Sequence, residues 1–378
     1  MSILTRINPE YREKLSYSQE LFTKTGVGIK FLNEFVWRHG NHLFIVGNTG
    51  SGKTQKGYWV MDWLKHTENQ IWISTAKSSE ILPLLCMGKK VRIIIPKGSE
   101  FNILEHTKGG DVELEDPPEI VQVSTPSEAW DAAKSPWDKN GNESYERINI
   151  FEFRQTITEK DGRRSQWMID LFESLAERTR AGTMPRSLFP CSIYLDEAQW
   201  LLAGSRITKD NERIRNSSIV IENVLEMRSA GCRFVMFAQS YKNLPPAIRD
   251  NLLCTVLCRG AFVDSEENAS LSYHCRLKPD PTRYRQNEGK FIHADGTAYP
   301  VNTTWKFPLY PICKIDRRWI KNIRLVYGKK YGEYSRQEEI EEECFPELGR
   351  FQAMAIKPDV QEMVESRWNL PEGVTPDD

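Results

Sequence analysis

Short apolar runs recur along the first two thirds of the chain, at His42–Val46, Gln70–Ser74, Val91–Ile95, Ile148–Phe153, Cys191–Leu195, Arg233–Ala238 and Thr255–Cys258. Each has the length of a strand and is rich in β-branched or aromatic residues. Between most of them lie longer segments with apolar positions at helical spacing, notably Lys53–Lys65, Ser165–Arg180 and Asn216–Ser229. An amphipathic segment, Ile29–Trp37, precedes the first run. Strand-like runs alternating with helical periodicity predict an α/β fold around a mainly parallel sheet.

Two regions break the alternation. Lys97 to Arg147 contains GGDVELEDPPE and SPWDKNGNE with little period of either kind, and reads as an insertion or long loop. Beyond about residue 264, Gly289–Ala294, Gly296–Thr304 and Leu309–Ile315 read as a β meander, with a hairpin turn at Asp295-Gly296. An acidic helix is expected at Gln337–Glu343, ahead of a Pro-rich polar end. The expected organisation is an N-terminal extension over 1–41, a core over 42–263 with its insertion at about 97–147, a small β-rich extension over 264–335, and a tail over 336–378. No internal repeat is visible.

Composition narrows the function classes only a little. The chain has 378 residues and a net charge of −1, so it is not coated in basic charge, although a local basic surface stays open. No stretch approaches the roughly 18 apolar residues of a membrane span. The polar N-terminus does not read as a secretory signal, and a cytoplasmic, or if viral virion-associated, protein is expected. None of the eight cysteines forms a C-x-x-C pair. Buried free thiols are the expectation; the alternative is a metal site from Cys254, Cys258, His274 and Cys275, whose spacing fits no usual zinc pattern.

The first strand runs into Gly47-Asn48-Thr49-Gly50-Ser51-Gly52-Lys53-Thr54, a complete G-x-x-x-x-G-K-[ST] match between an apolar strand and a helix. Glycines let the backbone turn its amides inward around a phosphate, and the helix adds its positive end. Lys53 is expected to reach the β- and γ-phosphates of ATP, and Thr54 to offer its hydroxyl to Mg²⁺.

FPCSIYLDEAQWL predicts a strand ending in Asp196-Glu197. Carboxylates at the C-terminal end of such a strand lie where α/β sheets bind ligands. Asp196 fits the magnesium partner of a P-loop protein, and Glu197 the group that orients and deprotonates the attacking water. CRFVMFAQS ends in Gln239, which can hydrogen-bond water or the γ-phosphate. An NKxD-type base reader, as in a GTPase, is missing.

VGNTGSGKT, IYLDEAQWL and MRSAGCRFVMFAQSYKNLPPAIRDNLLCTVLCR, in that order, resemble the HerA/FtsK superfamily of P-loop motors over about 42–263, less the insertion. The resemblance implies a RecA-like P-loop NTPase of the additional-strand, catalytic-Glu type, with the acidic strand two places from the P-loop strand. It also implies ATP hydrolysis with Mg²⁺ and assembly as a homo-oligomeric, commonly hexameric ring. Under it Lys53 and Thr54 match the nucleotide loop, Asp196 and Glu197 the magnesium and water residues, and Gln239 the sensor. Arg228 matches the arginine presented to a neighbouring subunit's γ-phosphate, with Arg249 and Arg259 as second choices. The residue alone reads equally as a helix-end cation.

The chain departs from many members in showing no membrane anchor, no N-terminal barrel and no C-terminal winged helix, which points to a compact motor resembling packaging ATPases or soluble plasmid-encoded motors. Zonula occludens toxin-like phage assembly ATPases share the DEAQ block but usually carry a transmembrane segment. The expected function is DNA translocation, in viral genome packaging or mobile-element transfer, with a capsid portal or relaxase-type partner. The alternatives are an ATPase powering protein or filament assembly at a membrane, and a non-motor NTPase switch. Candidate DNA contacts are Arg206, Lys209, Arg213 and Arg215, and a second stretch with Arg317, Arg318, Lys321, Arg324, Lys329 and Lys330 among Trp319, Tyr327 and Tyr331.

Overall fold

The computed structural model describes residues 32–65, 67–74, 84–85, 90–99, 101–107, 109–113, 117–133, 147–153, 166–198, 201–202, 211–240, 245–249, 254–258, 260–261, 288–293, 305–306 and 323–327. Its strands are β1 (Leu43–Val46), β2 (Asn69–Ile73), β3 (Lys90–Pro96), β4 (Phe101–Thr107), β5 (Gly110–Glu113), β6 (Glu119–Val123), β7 (Arg147–Phe151), β8 (Cys191–Leu195), β9 (Cys232–Ala238), β10 (Cys254–Cys258), β11 (Glu288–His293), β12 (Trp305–Lys306) and β13 (Ile323–Tyr327). The helices that matter here are α1 (Lys53–Leu64), α2 (Pro126–Ala133), α3 (Gln166–Arg180), α4 (Asn211–Glu226) and the single turn α5 (Pro246–Arg249).

One sheet runs in the order β12-β11-β10-β1-β9-β8-β2-β7-β3-β6. Every pairing from β10 to β6 is parallel, and β11 and β12 extend the β10 edge antiparallel. The central strands are buried along their whole length, as expected of a parallel sheet covered on both faces. Successive residues point to opposite faces, so the core divides in two. Leu43, Ile45, Trp72, Tyr194 and Phe237 face α1, where Trp72 stacks on Tyr194 at 5.6 Å and meets Tyr58 at 5.5 Å. Phe44, Val46, Ile193, Leu195 and Met236 face the layer of α3 and α4.

All the apolar runs become strands of this sheet, and the three helices form within a few residues of their expected bounds. Of the two readings of 97–147, an insertion or a long loop, the second does not hold: the segment supplies β4, β5, β6 and α2. β6 lies at the sheet edge with most of its residues exposed, so it never needed a continuous apolar run. α2 buries only Ala129, Trp130 and Ala133, too few to register as a long helical period. β4 pairs antiparallel with β5 and with β13, which joins the segment to residues far along the chain. Of the expected meander, β11 realises Gly289–Ala294; Gly296–Thr304, Leu309–Ile315 and the Gln337–Glu343 helix lie outside the described residues. Leu32–Val36, within the amphipathic Ile29–Trp37 segment, forms a π-helical turn.

Candidate nucleotide site

β1 delivers the Gly47–Thr54 loop to the C-terminal edge of the parallel sheet, and α1 begins at Lys53. Gly50 and Gly52 have φ of +75° and +81°, left-handed values that L side chains rarely adopt, so the loop turns sharply into the helix. The loop is tied to the neighbouring strand because the Gly47 amide donates to the Ala238 carbonyl at 3.2 Å. Lys53 Nζ donates to the carbonyls of Gly47 at 2.8 Å and Asn48 at 3.1 Å. The ammonium therefore lies against the loop, where a phosphate oxygen can compete for it.

A second lysine supports the loop from below. Lys56 is 1% exposed and donates to the Ser51 carbonyl at 3.2 Å. Burial lowers its pKa, opposed by interactions with Cys258. Cys258, on β10, is raised by its own burial. The sequence gives no sign of this pair beyond a lysine on the buried face of a helix.

β9 lies between β1 and β8, so the acidic strand is two places from the P-loop strand, as the resemblance implied. Two inter-strand spacings put Asp196 roughly 10 Å to the side of β1. Asp196, directly after β8, is 3% exposed. Glu197 is half-buried and has φ of 45°, the one non-glycine residue with positive φ among the described residues. Strain of this kind collects where a side chain must be aimed. Gln239 directly follows β9, exposed at the same sheet edge.

Hydroxyl and carboxylate oxygens suit Mg²⁺. Among the described residues no group of three or more His, Cys, Asp or Glu could hold a metal by itself. The donor set thus fits an ion held by one or two protein oxygens and a nucleotide's phosphates. Of the alternative metal site, Cys254 and Cys258 are thiols in no disulfide, buried in β10, as are Cys191 and Cys232 elsewhere in the sheet; His274 and Cys275 lie outside the described residues.

Arg228 does not join this cluster. It is exposed in the 3₁₀ turn Met227–Ala230, just before β9, at the opposite edge of the sheet. The seven residues of β9 separate it from Gln239, a span of roughly 23 Å at strand rise. Arg38, His39, Asn41, Arg180, Arg228 and Ser229 line an open groove there of about 860 Å³. Arg249 lies in α5 and Arg213 and Arg215 in α4, by backbone. Arg324 and Tyr327 are in β13; Arg206, Lys209, Arg259, Arg317, Arg318, Trp319, Lys321, Lys329, Lys330 and Tyr331 lie outside the described residues.

Beside the groove is a buried charge cluster that motif reading missed. Arg233 and Glu68 are both fully buried and paired at 2.7 Å. The Glu68 carboxylate also accepts hydrogen bonds from the Ser192 hydroxyl and from His39 Nδ1. Burial pushes its pKa up, but the Arg233 charge and these hydrogen bonds outweigh that and hold it below its ordinary value. A charged residue inside the apolar run Arg233–Ala238 was the only signal available.

No family model matches the chain, and no curated protein does. It is similar to the genome packaging NTPase of Sulfolobus turreted icosahedral virus 2 in complex with AMPPCP, at 10% identity and a TM-score of 0.37, over 70% of this chain and 96% of that one. It is also similar to VirB4 of Thermoanaerobacter pseudethanolicus, at 11% identity and a TM-score of 0.38, over 71% of this chain and 89% of that one. A third similarity is to ATPases 2 and 3 of EssC from Geobacillus thermodenitrificans, at 13% identity and a TM-score of 0.34, over 84% of this chain and 45% of that one. Strand order and phosphate-loop geometry give the chain the α/β fold of a RecA-like P-loop NTPase.

Proposed function

We propose that this chain is an ATP-hydrolysing motor that translocates DNA, working as a ring of identical subunits. The observation that carries the reading is the division of one motif set between two sheet edges. The Gly47–Thr54 loop, Asp196, Glu197 and Gln239 gather at one edge, whereas Arg228 stands at the other. An arginine so placed can meet a γ-phosphate only in another copy of the chain.

Within the site Lys53 and the loop amides bind the phosphates, and the start of α1 adds its dipole. Thr54 and Asp196 would hold Mg²⁺, which neutralises charge on the phosphates when bound. Glu197 takes a proton from the attacking water, and Gln239 hydrogen-bonds that water or the γ-phosphate. Arg228 of the adjacent subunit stabilises the charge developing on the transferred group. DNA as the cargo is supported by the three motif blocks and by the basic positions Arg213, Arg215 and Arg324.

ATP turnover of the assembled protein, measured with and without duplex and single-stranded DNA, tests the reading. Stimulation by DNA is expected. Assembled protein indifferent to every DNA would point instead to a motor for protein or filament assembly, or to a switch.

A further inference from the structure

The groove at the Arg228 edge contains a contact whose geometry leaves no slack. Gly40 has φ of +81°, and a Cβ built there would lie 2.2 Å from the Arg228 carbonyl oxygen and 3.2 Å from its Cγ. Such a contact can be relieved only if the Arg38–Asn41 turn or the Met227–Ala230 turn moves.

The first of these is clamped. The Arg233 guanidinium donates to the carbonyls of Phe35 at 2.7 Å, Val36 at 3.3 Å, Arg38 at 3.2 Å and Asn41 at 3.2 Å. Its carbon lies 4.2 Å from the centre of the Phe35 ring, and Glu68 holds it from the other side. His39 Nδ1 bonds Glu68 at 2.8 Å from the exposed side. The second turn has less to hold it. Met227 is its one buried residue, while the Arg228 carbonyl accepts from the Gly231 amide at 3.1 Å.

We propose that the Arg38–Asn41 turn is a positioning device for Arg228, with Gly40 as its point of contact and the Arg233–Glu68 pair as its anchor. The proposal rests on the reading that Arg228 acts across a subunit boundary. A side chain at residue 40 pushes the arginine's backbone out of place. The P-loop edge, a full strand length away, keeps its geometry. Gly40 is thus a positioning residue for hydrolysis in the neighbouring subunit.

The test uses full-length, assembled protein. Gly40→Ala is expected to bind a fluorescent ATP analogue within about twofold of wild type and to lose about tenfold or more in turnover, since ångström misplacements carry costs of that size. Gly182→Ala is the control, because Gly182 has φ of +67° and nothing within 4 Å of an added Cβ; it should keep its turnover. Mixing Gly40→Ala with Glu197→Gln subunits should restore turnover, because the latter present a correctly placed Arg228 to intact P-loops. Mixing Gly40→Ala with Arg228→Ala should not. Turnover in Gly40→Ala equal to that of the control overturns the proposal. So does a Gly40→Ala mixture that stays inactive while Arg228→Ala mixed with Glu197→Gln recovers. If that last mixture also stays inactive, the cross-subunit reading has failed and the proposal goes with it. Should Gly40→Ala not fold, His39→Ala decides: it removes the exposed partner of Glu68 and adds no atom. It should lower turnover, with recovery in the same mixture; unchanged turnover overturns the proposal.

Discussion

Glu197 carries its carboxylate on a backbone angle that non-glycine residues rarely adopt. With φ of 45° it follows the last buried position of β8, Leu195, and the buried Asp196. A strand left to itself would send Glu197 to the face opposite Asp196; the left-handed step alters that aim. Its neutral isostere Gln keeps the shape and cannot take up a proton. Glu197→Gln is therefore expected to bind ATP as wild type does and to lose about a hundredfold or more in turnover, the usual contribution of a general base. Nucleotide affinity and single-turnover rates measured side by side separate the two effects; undiminished hydrolysis would remove Glu197 from its role. The residues of this edge were legible in the sequence because each belongs to a short motif at a strand end. The Arg233–Glu68 pair was not, because its partners lie 165 residues apart and the block that holds Arg233 gives no sign of what it pairs with.

Three elements meet where β1 begins. His42, just before β1, is 3% exposed; its Nε2 donates to the Val224 carbonyl in α4 at 2.5 Å, and its Nδ1 accepts from the Phe234 amide in β9 at 3.1 Å. The imidazole thus joins three elements in its neutral form. Burial is the main cause that lowers its pKa from 6.5 to about 4, helped by the charges of Arg228 and Arg233 and opposed by the Val224 bond. Between those values the unfolded chain takes up a proton that the folded chain refuses. Stability is therefore complete above about pH 6.5 and falls as pH drops towards 4, by a total of about 3 kcal/mol from this group. Denaturant midpoints followed across that window should fall in wild type and stay flatter in His42→Asn. An equal slope in the two would show that His42 is not the group responsible. Glu68, depressed below its ordinary value, acts in the same direction but at lower pH, so the difference between variant and wild type isolates His42. At this scale apolar periodicity revealed the buried strands and long helices. It passed over β6 and α2, whose exposed faces dilute the signal, and it could not show which strands pair.

In the whole molecule, that pairing puts distant parts of the chain beside the nucleotide loop. β1 is hydrogen-bonded to β9 on one side and β10 on the other, and contacts at the base of these strands join residues 192 positions apart. The G-x-x-x-x-G-K-T segment is synthesised early, but its two flanking strands come late. Pairings of such long range close slowly, and a chain emerging from the ribosome folds no faster than its missing partners arrive. The Gly47 amide gains its acceptor, Ala238, only when β9 is complete. A nascent chain stopped before Cys232 should consequently fail to retain an ATP analogue although it contains every residue of the loop, whereas one extended past Ala261 should retain it. Nucleotide capture would then report that the central sheet has closed, making this site a late checkpoint of biosynthesis.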